Sequence, residues 1–284
     1  MLISKEELRF DFQGARFDLS TGAESGRNRE LLGWIFSQFL YGEVTGIQCG
    51  HWLYHAPHLS AATFLAKQAG EELSHVRKFL RIFSLLGIDP KPPHWVVKLM
   101  STGMMGKSWG EHVALEMALG EGLVLGTFYA MVDTIDHPEI HKLLDSSCEE
   151  EQRHVEFGER ETALWLERHP GTRKLILAQA LIQAWAMRKM KGFIIRRLGV
   201  QGHPVLGQFD RFFEHTLRSF ETRIERLGLS PVPLTQIAWH TRLWLITTIP
   251  WRRLFNRFFL RSPLLTSTYL TDPSVKAEIH RYRS

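Results

Sequence analysis

The pattern in this sequence with the clearest chemistry is a glutamate followed three positions later by a histidine, and the chain contains it twice. The first copy places Glu72 before His75, and the second places Glu151 before His154. Residues three apart lie on one face of an α-helix, so the two side chains of each copy can reach the same ligand. Carboxylates and imidazoles together are typical metal ligands. The two copies therefore predict a metal site shared by two helices.

A third carboxylate follows from the helical hairpin that would hold the first copy. The preceding predicted helix, residues 28–54, has one acidic residue in its inner span, Glu43. Measured from a turn near Pro57, Glu43 lies 14 residues before the turn and Glu72 lies 15 after it. Two antiparallel helices with the same rise per residue place these carboxylates at the same level.

The fourth carboxylate follows from the same argument on the second hairpin. The predicted third helix offers Glu111, Glu116 and Glu121, and Glu121 alone lies as far before a turn near residue 136 as Glu151 lies after it. On an α-helix Glu116 would be ~7.5 Å out of level and about 140° away from Glu121, and Glu111 would be ~15 Å out of level. The predicted catalytic and metal-binding residues are Glu43, Glu72, His75, Glu121, Glu151 and His154.

Six such ligands suit two metal ions. Four carboxylates balance the charge of two ferrous ions, whereas the empty acids would repel one another in an apolar core and take up protons. Oxygen-rich ligation with one imidazole per metal suits iron, or manganese in one of the sites, and excludes a closed structural zinc site. Glu71, Glu149 and Glu150 are expected to face solvent, although Glu150 and Arg153 are also candidates for orienting the ligands.

The predicted ligands need long helices to position them, and helical signals dominate the sequence. Helices are predicted at 28–54, 60–86, 108–133, 136–169, 172–198, 205–227 and 234–259, the last interrupted at Pro250. Short turns join the first pair and the second pair, and roughly 20 residues with three prolines join the pairs. Two antiparallel hairpins joined by one long crossover predict an all-α fold with a four-helix bundle.

This ligand set resembles that of the ferritin-like di-iron carboxylate superfamily, over roughly residues 28–168. The run at 150–158 is similar to the fourth-helix signature of its oxygenase branches. The resemblance implies a ferritin-like bundle at 28–169, after an N-terminal extension at 1–27. A basic, aromatic-rich helical extension at 170–284 would pack on that bundle. It also implies two iron ions, O₂ as co-substrate, and an oxygenase or hydroxylase.

Several activities remain open within that resemblance. The ligand order is similar to that of the aldehyde-deformylating oxygenases, from which the chain differs at Ser74 and Phe128. A tRNA-modifying hydroxylase, a ferroxidase or other iron-binding protein, and a non-catalytic lipid-associated helical protein are the alternatives. The favoured reading is oxidation of a hydrophobic small molecule. An external electron donor of the ferredoxin or reductase type is expected, because nothing in the chain resembles a flavin or iron–sulfur domain.

Charge is distributed unevenly along the chain, which bears on its partners. Residues 1–170 carry a net charge of −8 and residues 171–284 carry +13. The segment 234–261 combines five arginines with six Trp or Phe residues and no acid. The simplest explanation is that the aromatic residues pack on the bundle while the arginines face water. The composition also suits peripheral contact with an anionic membrane and, less strongly, tRNA. With two cysteines and no secretory signal, the predicted location is cytoplasmic or at the inner membrane surface.

Overall fold

The computed structural model describes residues 1–20, 22–95, 97–98, 106–198 and 203–252. Within these ranges the chain is helical and contains no strand, only one isolated bridge between Phe17 and Ile135, so the predicted all-α class is confirmed. We number the helices α1 (Lys5–Leu8), α2 (Ala23–Gly46), α3 (Leu59–Leu86), α4 (Trp109–Thr134), α5 (Pro138–Arg168), α6 (Arg173–Leu198), α7 (Phe209–Arg226) and α8 (Trp239–Thr247).

The first hairpin pairs α2 with α3. α2 begins five residues earlier than predicted, within the segment expected to be an extension, and after Gly46 the chain continues as a 3₁₀-helix at Ile47–Leu53 rather than as α-helix. A side chain at Gly46 would place its Cβ 2.6 Å from Glu72 Oε2, so glycine allows the two helices to approach closely at the carboxylate. α3 ends as predicted at Gly87, which adopts the left-handed conformation with φ 68°.

The second hairpin pairs α4 with α5, and α4 is not a regular α-helix. Its residues His112–Glu121 form a π-helix, with α-helical geometry before and after. Bonds from i to i+5 widen each turn, so residues four or five apart come close to the same face. The expectation that Glu116 points about 140° away from Glu121 is therefore wrong, and both residues line one cavity.

Close contact between α4 and α5 depends on Gly158. A Cβ at this position would lie 2.6 Å from the Ala118 backbone nitrogen and 2.9 Å from the Val113 carbonyl oxygen, and backbone atoms cannot move aside cheaply. Glycine at 158 thus determines how near the two helices come, one turn beyond His154.

Gly158→Ala is expected to destabilise the protein by ~1–3 kcal/mol, because the methyl group must push α4 and α5 apart. Urea unfolding followed by circular dichroism measures the change. Gly70→Ala is the matched control, since Gly70 is an exposed position within α3 with open space around it, where alanine should stabilise by up to about 1 kcal/mol. Equal stability of the two variants would contradict the proposed packing.

The hydrophobic core is divided into two clusters by the level of the predicted ligands. Along α3, Leu65 belongs to one cluster and Phe79 to the other, with Glu72 and His75 between them. Along α4 the same division falls at Glu121, and along α5 it falls just after His154. α2 belongs to one cluster, and the 3₁₀-helix that follows it belongs to the other. The helices therefore present a polar layer between two apolar layers.

The C-terminal helices α6, α7 and α8 pack on α4 and on one another. α6 packs on the π-helical part of α4, α7 packs on α4 and α6, and α8 packs on α6. The N-terminal segment also contributes to the core through the buried Phe12 and Phe17. Of the predicted last helix, residues 234–252 are described and contain α8, and residues 253–259 lie outside the described part of the chain.

Candidate metal centre

The structure brings all six predicted ligands together within the polar layer. One group consists of Glu43, Glu72, His75 and Glu151, whose ligand atoms all lie within 4.8 Å of one another. The second consists of Glu72, Glu121 and His154, by the same measure. Glu72 belongs to both groups, so its two carboxylate oxygens can serve two ions.

The two imidazoles present the same atom to the centre. His75 Nδ1 lies 2.9 Å from Glu43 Oε2 and 3.2 Å from Glu151 Oε1. His154 Nδ1 lies 3.5 Å from Glu72 Oε1 and 3.7 Å from Glu151 Oε2. Glu151 therefore faces both histidines, one with each oxygen.

The outward atoms of the imidazoles are held by two further glutamates. His75 Nε2 lies 2.7 Å from Glu150 Oε2, on the opposite hairpin. His154 Nε2 lies 2.9 Å from Glu71 Oε2, again across the hairpins. Each of these acids directly precedes the Glu of a Glu-x-x-His motif, and each binds the histidine of the other motif. Such contacts fix the ring orientation of a histidine and raise its basicity as a ligand.

The expectation that Glu71 and Glu150 face solvent is therefore wrong, whereas Glu149 is exposed as expected. Lys78 Nζ lies 2.7 Å from Glu150, and an Arg153 guanidinium nitrogen lies 2.8 Å from Glu71, which balances the charge of both acids. The orienting roles suggested for Glu150 and Arg153 agree with this geometry, since Arg153 acts through Glu71.

Burial and mutual repulsion disturb the titration of these groups. Burial raises the pKa of Glu43, Glu72 and Glu121. Burial acts in the same direction on Glu151, but the attraction of the two neighbouring imidazoles outweighs it and lowers the pKa of Glu151 to about 2. His75 shows the converse, because its hydrogen bonds to the carboxylates of Glu151 and Glu43 overcome its burial and raise its pKa to about 11. In the metal-free protein, bound protons therefore offset part of the negative charge.

The donor set fits a metal ion. His154 Nδ1 and Glu121 Oε2 are buried with no hydrogen-bond partner, and both belong to the second group. An unpartnered buried donor or acceptor is costly, and coordination of an ion would satisfy both atoms. Carboxylate oxygens with one imidazole per group suit iron or manganese.

A cavity of about 480 Å³ opens beside the centre. Glu43, Glu72, Glu121 and Glu151 all lie on its wall, and most of the rest of the wall is apolar. The wall also includes residues from the N-terminal segment, α6 and α7, such as Phe12 and Phe213. Sequence reasoning missed this cavity, because contacts between segments so distant in the chain leave no local pattern.

The wall of this cavity includes much of α4, which is the most apolar helix of the described chain. α4 is long and apolar enough by composition to cross a membrane, and it is the only helix among the described residues that passes that test. Yet 67% of its most apolar stretch is buried within the fold, as in the central helix of many folded domains.

Compared with known proteins, the chain matches no protein-family model, no curated protein and no solved structure.

Proposed function

We propose that the protein is a non-haem di-iron oxidoreductase, of the oxygenase or hydroxylase type, that uses O₂ to oxidise a hydrophobic substrate. The observation that carries this proposal is that the dinuclear ligand set opens directly onto a largely apolar cavity. Ligand-bearing residues with one face toward a substrate-sized cavity are typical of catalytic sites rather than structural ones.

The proposed fold is a ferritin-like four-helix bundle formed by α2, α3, α4 and α5. Its support is the pairing α2–α3 and α4–α5, the packing of α3 on α5, and one carboxylate or one Glu-x-x-His motif from each helix. This distribution of ligands is that of the di-iron carboxylate bundles.

The residues of the chain have separate tasks in this proposal. Six side chains hold the ions, Glu71 and Glu150 orient the histidines, and the apolar wall excludes water and positions the substrate. When bound, the two irons supply the capacity to reduce O₂. Insertion of one oxygen atom into a C–H bond, with the other leaving as water, consumes two electrons and two protons, and an external donor supplies the electrons in repeated turnovers.

The cavity favours an elongated substrate. On α4 its wall extends from His112 to Thr134, which are 22 residues apart and thus up to ~33 Å apart along the helix. A volume of about 480 Å³ spread over such a length leaves a narrow passage. A flexible chain fits this shape better than a compact ring system. An iron-storage function would leave the long apolar wall without a role.

The test is a single turnover with the purified full chain. Iron is loaded and chemically reduced, a long-chain saturated alcohol is added, and ¹⁸O₂ is admitted. We expect mass spectrometry of the alcohol extracted from the protein to show one added ¹⁸O atom or the loss of two hydrogens. Oxidation of the paired iron by O₂ while the bound alcohol stays unchanged would overturn the oxygenase proposal in favour of a ferroxidase.

The exposed tryptophans of the C-terminal region support an anionic lipid surface as a further partner. Trp239, Trp244 and Trp251 are 76%, 55% and 70% exposed. Residues 234–252 contain no acid, and the Arg252 guanidinium lies 5.0 Å from the centre of the Trp244 ring. Exposed tryptophans interleaved with arginines suit the interface of a membrane that carries anionic lipids.

We expect the full chain to float with anionic vesicles, less with neutral ones, and less at high salt. Replacing Trp239 and Trp244 together by serine should reduce flotation severalfold. Trp95→Ser is the matched control, because Trp95 is 67% exposed but lies far along the chain from this segment. Absence of flotation, or a salt-dependent shift of tRNA without flotation, would contradict the membrane assignment and favour the tRNA alternative or plain packing.

A further inference from the structure

Most polar side chains on the wall of the cavity have their hydrogen bonds satisfied within the protein. Thr127, Thr134 and Thr216 each donate to a carbonyl one turn earlier in their own helix. Apart from the acid cluster, two described wall residues keep a buried polar atom without a hydrogen-bond partner: His112, through Nε2, and Gln183, through Oε1. Native proteins rarely leave such atoms unpartnered, so these two suggest a ligand.

His112 is held firmly in one orientation. It is 2% exposed, its ring stacks on that of Trp52 at 4.7 Å between centres, and its Nδ1 lies 2.8 Å from Glu116 Oε2. The other oxygen of Glu116 accepts a hydrogen bond from the Gly106 backbone. A carboxylate accepts this hydrogen bond, so Nδ1 carries the hydrogen, and in the Nδ1–H tautomer of imidazole the Nε2 atom is an acceptor.

Gln183 is fixed in a similar way. Its Nε2 donates to the Leu115 carbonyl oxygen at 3.3 Å, which determines how the amide is turned and leaves Oε1 as a second acceptor. Leu115 is three residues after His112 on the π-helix. The two unpartnered acceptors therefore belong to the same stretch of the wall, where α6 packs on α4.

We propose that His112 and Gln183 bind the polar head group of a chain-like substrate, and that this head group donates hydrogen bonds. A hydroxyl or an amine meets this requirement. A carboxylate offers only lone pairs to two acceptors and would also face the carboxylate of Glu116. The substrate class is thus a long-chain alcohol or amine, which deepens the proposed function and rests on it.

This placement also determines which part of the chain is near the metal centre. His112 and Glu121 are nine residues apart on α4, so their separation along the helix axis is at most ~14 Å. An aliphatic substrate whose head group binds at His112 therefore passes Glu121 at a carbon several positions away from the head group. Oxidation is therefore expected inside the chain, with one oxygen atom entering an internal C–H bond and the head group unchanged.

The test is equilibrium binding of a long-chain alcohol and of its methyl ether, which keeps the oxygen but has no hydrogen to donate. Native protein should bind the alcohol about tenfold more tightly than the ether. His112→Phe, which retains the ring on Trp52, should abolish that preference, and Gln183→Leu should reduce it. His169→Phe is the matched control, because His169 also lies against a tryptophan, Trp165, but does not line the cavity.

Parallel arms with the long-chain amine and carboxylate identify the head group. Tighter binding of either the alcohol or the amine supports the proposal. Equal binding of alcohol and ether, tightest binding of the carboxylate, or an unchanged preference in both His112→Phe and Gln183→Leu would overturn it. These measurements need neither iron nor turnover, so failure of head-group binding is distinguishable from failure of the di-iron oxidation.

Discussion

Glu72→Gln is expected to reduce the iron content from two ions per chain to fewer than one. Glu72 is the residue common to both ligand groups, so an amide in its place removes a charged ligand from both ions at once. Glu43→Gln and Glu121→Gln each alter one group only and should leave about one ion bound. The central position of Glu72 thus predicts a larger loss from one substitution than from either of the others.

Elemental analysis of each purified variant after loading with ferrous iron measures this difference. Glu149→Gln is the matched control, because Glu149 is an exposed acid two residues before Glu151 and should leave both ions in place. Iron should also raise the melting temperature of the native chain more than that of Glu72→Gln, since a ligand that binds the folded state stabilises it. Equal iron contents in the three Gln variants would contradict the shared role of Glu72.

Arg223→Met is expected to lower the free energy of unfolding by ~3–5 kcal/mol, because it leaves a buried charge without its partner. Arg223 is 1% exposed, and its Nε lies 3.0 Å from Glu159 Oε1 on α5. The guanidinium also occupies the space beside Gly122, where a Cβ would overlap it. Arg223 thus connects α7 to α5 and to the residue after the ligand Glu121.

Chemical denaturation measures the loss, and Arg226→Met is the matched control. Arg226 lies on the same helix but is exposed, and solvent screens its contact with Glu7, so its loss should have little effect on stability. The double substitution Arg223→Met with Glu159→Gln should recover part of the stability, since no unpaired charge then remains buried. If Arg223→Met were no more destabilising than Arg226→Met, the buried Arg223–Glu159 pair would not be the connection between α7 and α5.

The spacing of the ligands could be read from the sequence because it depends on regular helices. Glu72 follows the turn on the regular helix α3, and Glu43 still comes within reach of it although the chain between Gly46 and the turn forms a 3₁₀-helix. The same count placed Glu121 opposite Glu151, although Glu121 lies at the end of a π-helix. The direction of Glu116 could not be predicted, because a change from i→i+4 to i→i+5 bonding has no reliable local pattern.

The acids that orient the histidines could have been found in the sequence. Glu71 and Glu150 both directly precede the Glu of a motif, so each motif has the fuller form Glu-Glu-x-x-His. Neighbouring positions on a helix differ by about 100°, which turns one acid to the centre and the other to the adjacent helix. The repetition of the first Glu in both copies was the available signal.

The cavity and the unpartnered atoms of His112 and Gln183 could not be derived from the sequence. They arise where α6, α7 and the N-terminal segment pack against α4, and such contacts depend on side-chain shape rather than on period. Residues 253–261, about a third of the predicted membrane segment 234–261, lie outside the described part of the chain. The described part of that segment, residues 234–252, nevertheless exposes three tryptophans.

The central claim is that six side chains from four helices bind two irons at one site. Diffraction from crystals of the iron-loaded chain at the iron absorption edge tests it most directly. We expect two anomalous peaks ~3.5–4 Å apart, one beside His75 and the other beside His154, with Glu72 in contact with both. A single peak, or peaks away from these residues, would contradict the account.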